Sequence, residues 1–267
     1  MSTLPDSLVQ PITDLIHQMS DEARTIALQY YRKADVGEET KEDDSPVTLA
    51  DKAIEQMMRE RIEAAFPTHR IMGEEFDDKA GSEEITWVLD PIDGTRQFVL
   101  GMPLFGNLIG VLAGDKPVLG CINIPMTQER WIGQMGQGTT LNGQACRVSS
   151  VTKLSEARLM ATAPAQFSGA QRTRFGHLID LTKDVRFGTD CYAYGLLASG
   201  HCDVVAEASL KSVDIMATIP VILFAYFFLG HTALQFDDVH AMTVGQIITM
   251  GESYGYWSFD RAYTVGG

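Results

Sequence analysis

Trp87-Val88-Leu89-Asp90-Pro91-Ile92-Asp93-Gly94-Thr95 is the stretch on which the fold and the chemistry turn. Trp87 to Leu89 is an apolar, β-prone run, so it predicts a strand that delivers Asp90 at its carboxyl end. Pro91 fixes one backbone dihedral and Gly94 frees the next turn. Asp90 and Asp93 should therefore project near one another, with the Ile92 carbonyl between them. Two carboxylates and a backbone oxygen are hard ligands suited to Mg²⁺. A helix starting after Gly94 would add free N–H groups able to cradle a phosphate. Taken alone, Asp93-Gly94 reads more simply as a turn.

Upstream, His69 to Met72 reads as a short strand followed by Gly73-Glu74-Glu75, which on its own is a solvated loop. Ala50, Ile54, Met57, Met58, Ile62 and Ala65 recur at helical spacing, and Pro67 ends that helix. Thr48 should cap it, with Asp51 three residues later as a capping box. Leu8 to Tyr30 carries a long apolar helical stripe, and polar Lys33 to Ser45 is expected as a loop or hairpin. Downstream, runs at 107–114, 117–124 and 129–135 predict strands, with turns at Gly114-Asp115 and Asn142-Gly143. The second half predicts strands near 158–162, 185–188 and 202–207 and helices over 167–181 and 192–199. Glu207 closes the last strand, and Asp214 falls at a helix start. Asp190 is either a cap of the helix that follows it or a functional carboxylate. The order of elements predicts an α+β layered sandwich, with an approximate boundary near residue 150.

The chain has 267 residues, with 35 Asp and Glu against 21 Lys and Arg, a formal charge of −14. That balance argues against nucleic acid and anionic membranes, which require clustered basic residues. Cys121, Cys146, Cys191 and Cys202 lack C-x-x-C spacing and are expected to be reduced, which with the absence of a secretory signature predicts a cytoplasmic setting. Ile219 to Leu229 is apolar but too short for a span, which needs about 20 residues, so a buried helix is expected.

Ser45-Pro46-Val47-Thr48-Leu49-Ala50-Asp51, Gly73-Glu74-Glu75, the 87–95 stretch and the Asp214 region, in that order, resemble the inositol monophosphatase superfamily of Mg²⁺-dependent, lithium-sensitive phosphatases. The run from Gly188 to Ala217, with Gly188-Thr189-Asp190-Cys191-Tyr192-Ala193-Tyr194-Gly195, is most similar to its histidinol-phosphate phosphatase branch. The resemblance implies an α/β/α/β/α sandwich and two Mg²⁺ ions with a weaker third. It assigns Glu74, Asp90 and the Ile92 carbonyl to the first ion, Asp90, Asp93 and Asp214 to the second, and Glu74 to the third. Thr95 and Asp51 would orient the attacking water, and Asp93, Gly94 and Thr95 would hold the phosphoryl group. Glu207 matches the position contacting the alcohol. Asp190 stands where inositol-specific relatives carry a small residue, so two carboxylates favour a cationic substrate, histidinol phosphate. An inositol monophosphatase or broad sugar phosphatase is the alternative, and a non-catalytic or folding-impaired relative, suggested by the divergent carboxyl terminus, is a third reading. The substrate class implied is a small phosphate monoester, and a homodimer is expected.

The resemblance lapses after Pro220. Relatives continue V-x-E-G-A-G-G, whereas Val221 to Leu229 here reads VILFAYFFL. Large residues in place of glycines should overpack a helix–sheet contact unless the chain takes another path.

Overall fold

A computed structural model describes residues 4–33, 37–40, 46–227 and 247–249. Helix α1 (Asp6–Tyr30) follows the apolar stripe, burying Ile12, Leu15, Ile16, Met19, Ala23 and Ala27 on one face. Short strands β1 (Glu39–Thr40) and β2 (Pro46–Val47) pair as the expected hairpin. Helix α2 (Leu49–Ala65) starts at Thr48 through the predicted capping box. The Thr48 hydroxyl accepts from Ala50 N at 3.2 Å, and the Asp51 carboxylate accepts from Thr48 N at 2.8 Å. Reciprocal capping of this kind satisfies N–H groups that the first helical turn leaves without partners. Ala65, expected on the buried stripe, is exposed at the fraying end of the helix.

Seven strands form the first sheet in sequence order. They are β3 (Arg70–Gly73), β4 (Ile85–Asp93), β5 (Gly106–Ala113), β6 (Lys116–Ile124), β7 (Glu129–Gln134), β8 (Gly138–Leu141) and β9 (Gln144–Ala145). Only β3 and β4 run parallel, and the rest is an antiparallel meander. Asn142 and Gly143 both have positive φ, 49° and 80°, in the two-residue turn between β8 and β9. A second, parallel sheet has the order β11-β10-β12-β13 and contains β10 (Arg158–Ala161), β11 (Asp184–Phe187), β12 (Val204–Glu207) and β13 (Ile247–Thr249). The remaining helices are α3 (Thr95–Val99), α4 (Gly169–Leu181), α5 (Tyr192–Ala198) and α6 (Ser212–Phe227).

Strand alternation sorts the core into three layers of contact. Trp87, Leu89, Ile109, Val111 and Cys121 face α1 and α2. Their neighbours Leu108 and Ile122 face the opposite way, onto α5, α6 and Val205. Val204 and Ala206 on the far side of the second sheet pack with Phe167, Phe175 and Leu178 at α4. Helices, sheet, helices, sheet and helix thus stack as the α/β/α/β/α sandwich, because period-two side chains give each sheet two apolar faces.

Helix α6 packs against glycines of the first sheet through its residues Met216, Ala217, Pro220 and Val221. Cross-strand register aligns Gly110 with Gly120 and Gly120 with Gly133. A Cβ at Gly120 would lie 2.0 Å from the Ala217 carbonyl oxygen, and one at Gly133 would lie 2.5 Å from Val221 Cα. The sheet, rather than the helix, supplies the small residues here. Val221 and Ile222 are buried, and Thr139 Oγ1 donates to the Val221 carbonyl at 2.7 Å, while the side chains at 223–227, on which the expected overpacking falls, lie outside the described residues. Residues 228–246 and 250–267, where the tail also departs from the family pattern, lie outside the described residues.

Candidate active site

Strand β4 carries the centre of the site on an irregularity. Its ladder with β5 shifts register between Asp90, opposite Leu108, and Asp93, opposite Gly106. The bulge re-aims both carboxylates and removes the Pro91 carbonyl from the ladder. Asn107 Nδ2 donates to that carbonyl at 2.5 Å, Asn123 Nδ2 to Asn107 Oδ1 at 2.8 Å, and Arg130 Nε to Asn123 Oδ1 at 3.0 Å. Both asparagines are buried, so the relay satisfies polar groups in the core that would otherwise be costly to leave unpaired. Gly94 follows with φ 84°, a left-handed conformation that a side chain would strain, and starts the short helix α3.

The cavity is lined by Glu74, Asp90, Ile92, Asp93, Gly94, Thr95, Lys211 and Asp214. Carboxylate oxygens of Asp90, Asp93 and Asp214 lie within 4.8 Å of one another. Three segments far apart in sequence therefore meet: β4, the loop after β3, and the first turn of α6. Asp90 is buried, and its Oδ1 has no hydrogen-bond partner among the described residues. Burial above all, then the negative charges of Glu74, Asp93, Asp214 and Asp51, pushes the Asp90 carboxyl well above its ordinary range. Asp93 is raised in the same way, by burial and then by Asp190 and Asp214, against a hydrogen bond of 2.5 Å from Cys191 N. A partnerless buried oxygen beside converging carboxylates fits a bound cation, and a set of oxygen donors alone suits Mg²⁺.

Glu74 is positioned by α2. Glu55 is fully buried, accepts from Arg59 Nε at 2.8 Å and from Glu75 N at 2.7 Å. Arg59 also donates to the carbonyls of Phe76 and Asp77, at 2.9 and 3.0 Å. The pair clamps the loop on the far side of Glu74. Gly73 is required beside it, since a Cβ there would fall 1.9 Å from Glu55 Oε1.

Thr95 Oγ1 lies 3.3 Å from Asp51 Oδ1 and 3.1 Å from the Ile92 carbonyl. Asp51 is thus both the capping-box partner of Thr48 and the partner of Thr95, one oxygen serving each. Asp190 and Glu207 stand apart from the cavity lining. Asp190 does not cap α5; its carboxylate accepts from Gln97 Nε2, and its side chain lies against Gly94. Its φ is 41°, and burial raises its carboxyl to about 6, against the lowering effect of hydrogen bonds from Gln97 and Thr162. Glu207 is buried at the end of β12, accepts from Thr162 N at 2.7 Å and Thr162 Oγ1 at 3.0 Å, and leaves Oε2 without a partner among the described residues. Burial raises its carboxyl to about 8. Thr162 therefore ties together the two acids of the second half.

The inositol monophosphatase family profile matches residues 8–224. The chain belongs to the inositol monophosphatase family. The match ends at Phe224, within α6. The chain is 42% identical over 224 residues to the bifunctional phosphatase IMPL2, chloroplastic, of Arabidopsis thaliana, covering 83% of this chain and 64% of that protein. It is 32% identical over 216 residues to a histidinol-phosphatase of Chlorobaculum parvum, covering 79% of this chain and 82% of that one. An inositol monophosphatase from Zymomonas mobilis superposes with a TM-score of 0.72 at 38% identity, covering 81% of this chain and 83% of the other. These relatives are named phosphatases, and the shared fold is the layered sandwich described above. No helix among the described residues is long and apolar enough to cross a membrane.

Proposed function

We propose that the chain is a Mg²⁺-dependent phosphatase whose preferred substrate is histidinol phosphate. The observation that carries the reaction class is the convergence of Asp90, Asp93 and Asp214 beside the Thr95–Asp51 pair. Glu74, Asp90, the Ile92 carbonyl, Asp93 and Asp214 would hold two Mg²⁺ ions. Bound there, the ions would supply charge for the attacking and leaving oxygens of an in-line displacement. The Thr95 hydroxyl, already between Asp51 Oδ1 and the Ile92 carbonyl, would orient the attacking water, and Asp51 would accept its proton through Thr95. Gly94 and Thr95, at the turn into α3, would hold phosphoryl oxygens through their backbone N–H groups.

Substrate preference rests on Asp190 and Glu207. Both are acids on the second half, joined through Thr162, and a leaving group with an ammonium and an imidazole complements them better than a neutral polyol. Relatives named histidinol-phosphatase support this reading. The test is phosphate release from histidinol phosphate, inositol phosphate, fructose bisphosphate and a nucleotide 3′-phosphate, each with and without Mg²⁺. Mg²⁺-dependent release from histidinol phosphate above the others is expected. Good hydrolysis of inositol phosphate with none of histidinol phosphate would overturn the substrate assignment and favour the inositol reading, which the Zymomonas similarity supports. A homodimer and a reducing compartment, consistent with four free cysteines, belong to the same proposal; light scattering of the purified chain tests the former.

A further inference from the structure

Lys211 has no role in the proposed chemistry, yet it is the only basic side chain among the described residues lining the acidic cavity. It lies between β12 and α6, and its backbone N donates to Asp214 Oδ2 at 2.6 Å. That bond anchors the residue against the carboxylate cluster. Its Nζ then lies 3.4 Å from Glu74 Oε1, joining the 207–214 segment to the loop after β3. Glu74 is mostly shielded, with 18% of its side chain exposed, while Lys211 keeps 46%. The ammonium therefore faces the Glu74 carboxylate from the solvent side of the cavity.

We infer that the Lys211 ammonium is a built-in cation that occupies the outer side of Glu74 and excludes a third divalent ion there, so that the chain works with two. The inference rests on the two-ion reading proposed above and departs from the three-ion expectation. A divalent ion against the same carboxylate oxygen would meet the like charge of an ammonium already 3.4 Å from it. The carboxylate oxygens of Asp90, Asp93 and Asp214 converge within 4.8 Å of one another, a separate set from the Glu74 oxygen that the ammonium faces. A flexible lysine stem suits this arrangement, since it can follow Glu74 without fixing a metal geometry.

Titration of the full chain with Mn²⁺, followed by electron paramagnetic resonance of the free ion, tests the idea. Two bound equivalents are expected for the wild type and for Lys211→Arg, and three for Lys211→Met. Lys211→Gln, nearer in polarity, repeats the measurement should the methionine variant fold poorly by circular dichroism. Three equivalents in the wild type, or two in both neutral variants, would overturn the inference and leave the two-ion phosphatase reading standing. Unchanged stoichiometry with weakened binding of inorganic phosphate would also overturn it, making Lys211 a phosphate contact. Failure of every form to bind Mn²⁺ would sink the metal-site reading itself.

Discussion

Arg59→Met removes one half of a buried charge pair whose partner cannot reach water. Glu55 is fully buried, and Arg59 is its charged neighbour at 2.8 Å. The substitution keeps the aliphatic stem but deletes three donors: one to Glu55 and one each to the carbonyls of Phe76 and Asp77. Each lost backbone-directed bond is worth about 0.5–1.5 kcal/mol, more where the donor is charged. The stranded Glu55 carboxylate dominates, because breaking a buried pair from one side costs about 3–5 kcal/mol. A loss of about 4 kcal/mol lowers the melting midpoint of a chain this size by on the order of 10 °C. Urea denaturation of the wild type, Arg59→Met, Glu55→Leu and the double variant measures it. The double variant should be at least about 1 kcal/mol more stable than the two single losses predict, since it strands no charge. Arg59→Met should also blunt the rise in midpoint on adding Mg²⁺, because the loop carrying Glu74 is no longer clamped. Additive single losses, or a loss under about 1 kcal/mol for Arg59→Met, would refute the buried-clamp reasoning.

Asp93→Asn should abolish nearly all Mg²⁺-dependent phosphate release while leaving the melting midpoint of the metal-free protein unchanged or raised, since it relieves repulsion within the cluster. Gly120→Ala should destabilise by about 1–3 kcal/mol or more, because its Cβ would fall 2.0 Å from the Ala217 carbonyl oxygen; chemical denaturation reads the loss. Glu207 binds its proton more tightly when folded, with its carboxyl raised to about 8 from an ordinary 4.5. Its contribution to stability is therefore intact below about pH 4.5 and is lost as pH rises toward 8. The stability difference between Glu207→Gln and the wild type, measured from pH 5 to 8 without metal, should grow in favour of the variant.

The local elements and two of the clustered acids, Asp90 and Asp93, were legible because their signals are local. The capping box at Thr48 and Asp51, the strand ending at Asp90 and the positive-φ turn at Gly94 are written within a few residues each. Family resemblance brought Glu74 and Asp214 to them, and the structure places both at the cavity. The supporting groups were hidden for a different reason. Glu55 and Arg59, four apart on a helix, read as an ordinary solvated pair, and only tertiary packing buries them. Asn107 and Asn123 become meaningful only when cross-strand register sets them opposite each other and beside a bulge. The glycines at 110, 120 and 133 are unremarkable turn-like residues until the same register lines them up. The small residues that seat Met216 to Val221 lie on the sheet, over 80 positions upstream, so nothing in the sequence around Pro220 announces them.

That glycine row bears on how accurately the reacting parts are assembled. A helix cushioned on a sheet by side chains can shift by fractions of an ångström as rotamers exchange. Helix α6 instead beds its peptide groups on bare backbone at Gly110, Gly120 and Gly133. The seat has almost no compliance, and Asp214 rides at the near end of the seated helix. Its placement against Asp90 and Asp93 is then set by the fixed dimensions of the peptide chain, much as a machined shoulder locates a shaft, and rotamer changes elsewhere in the core have little leverage over it.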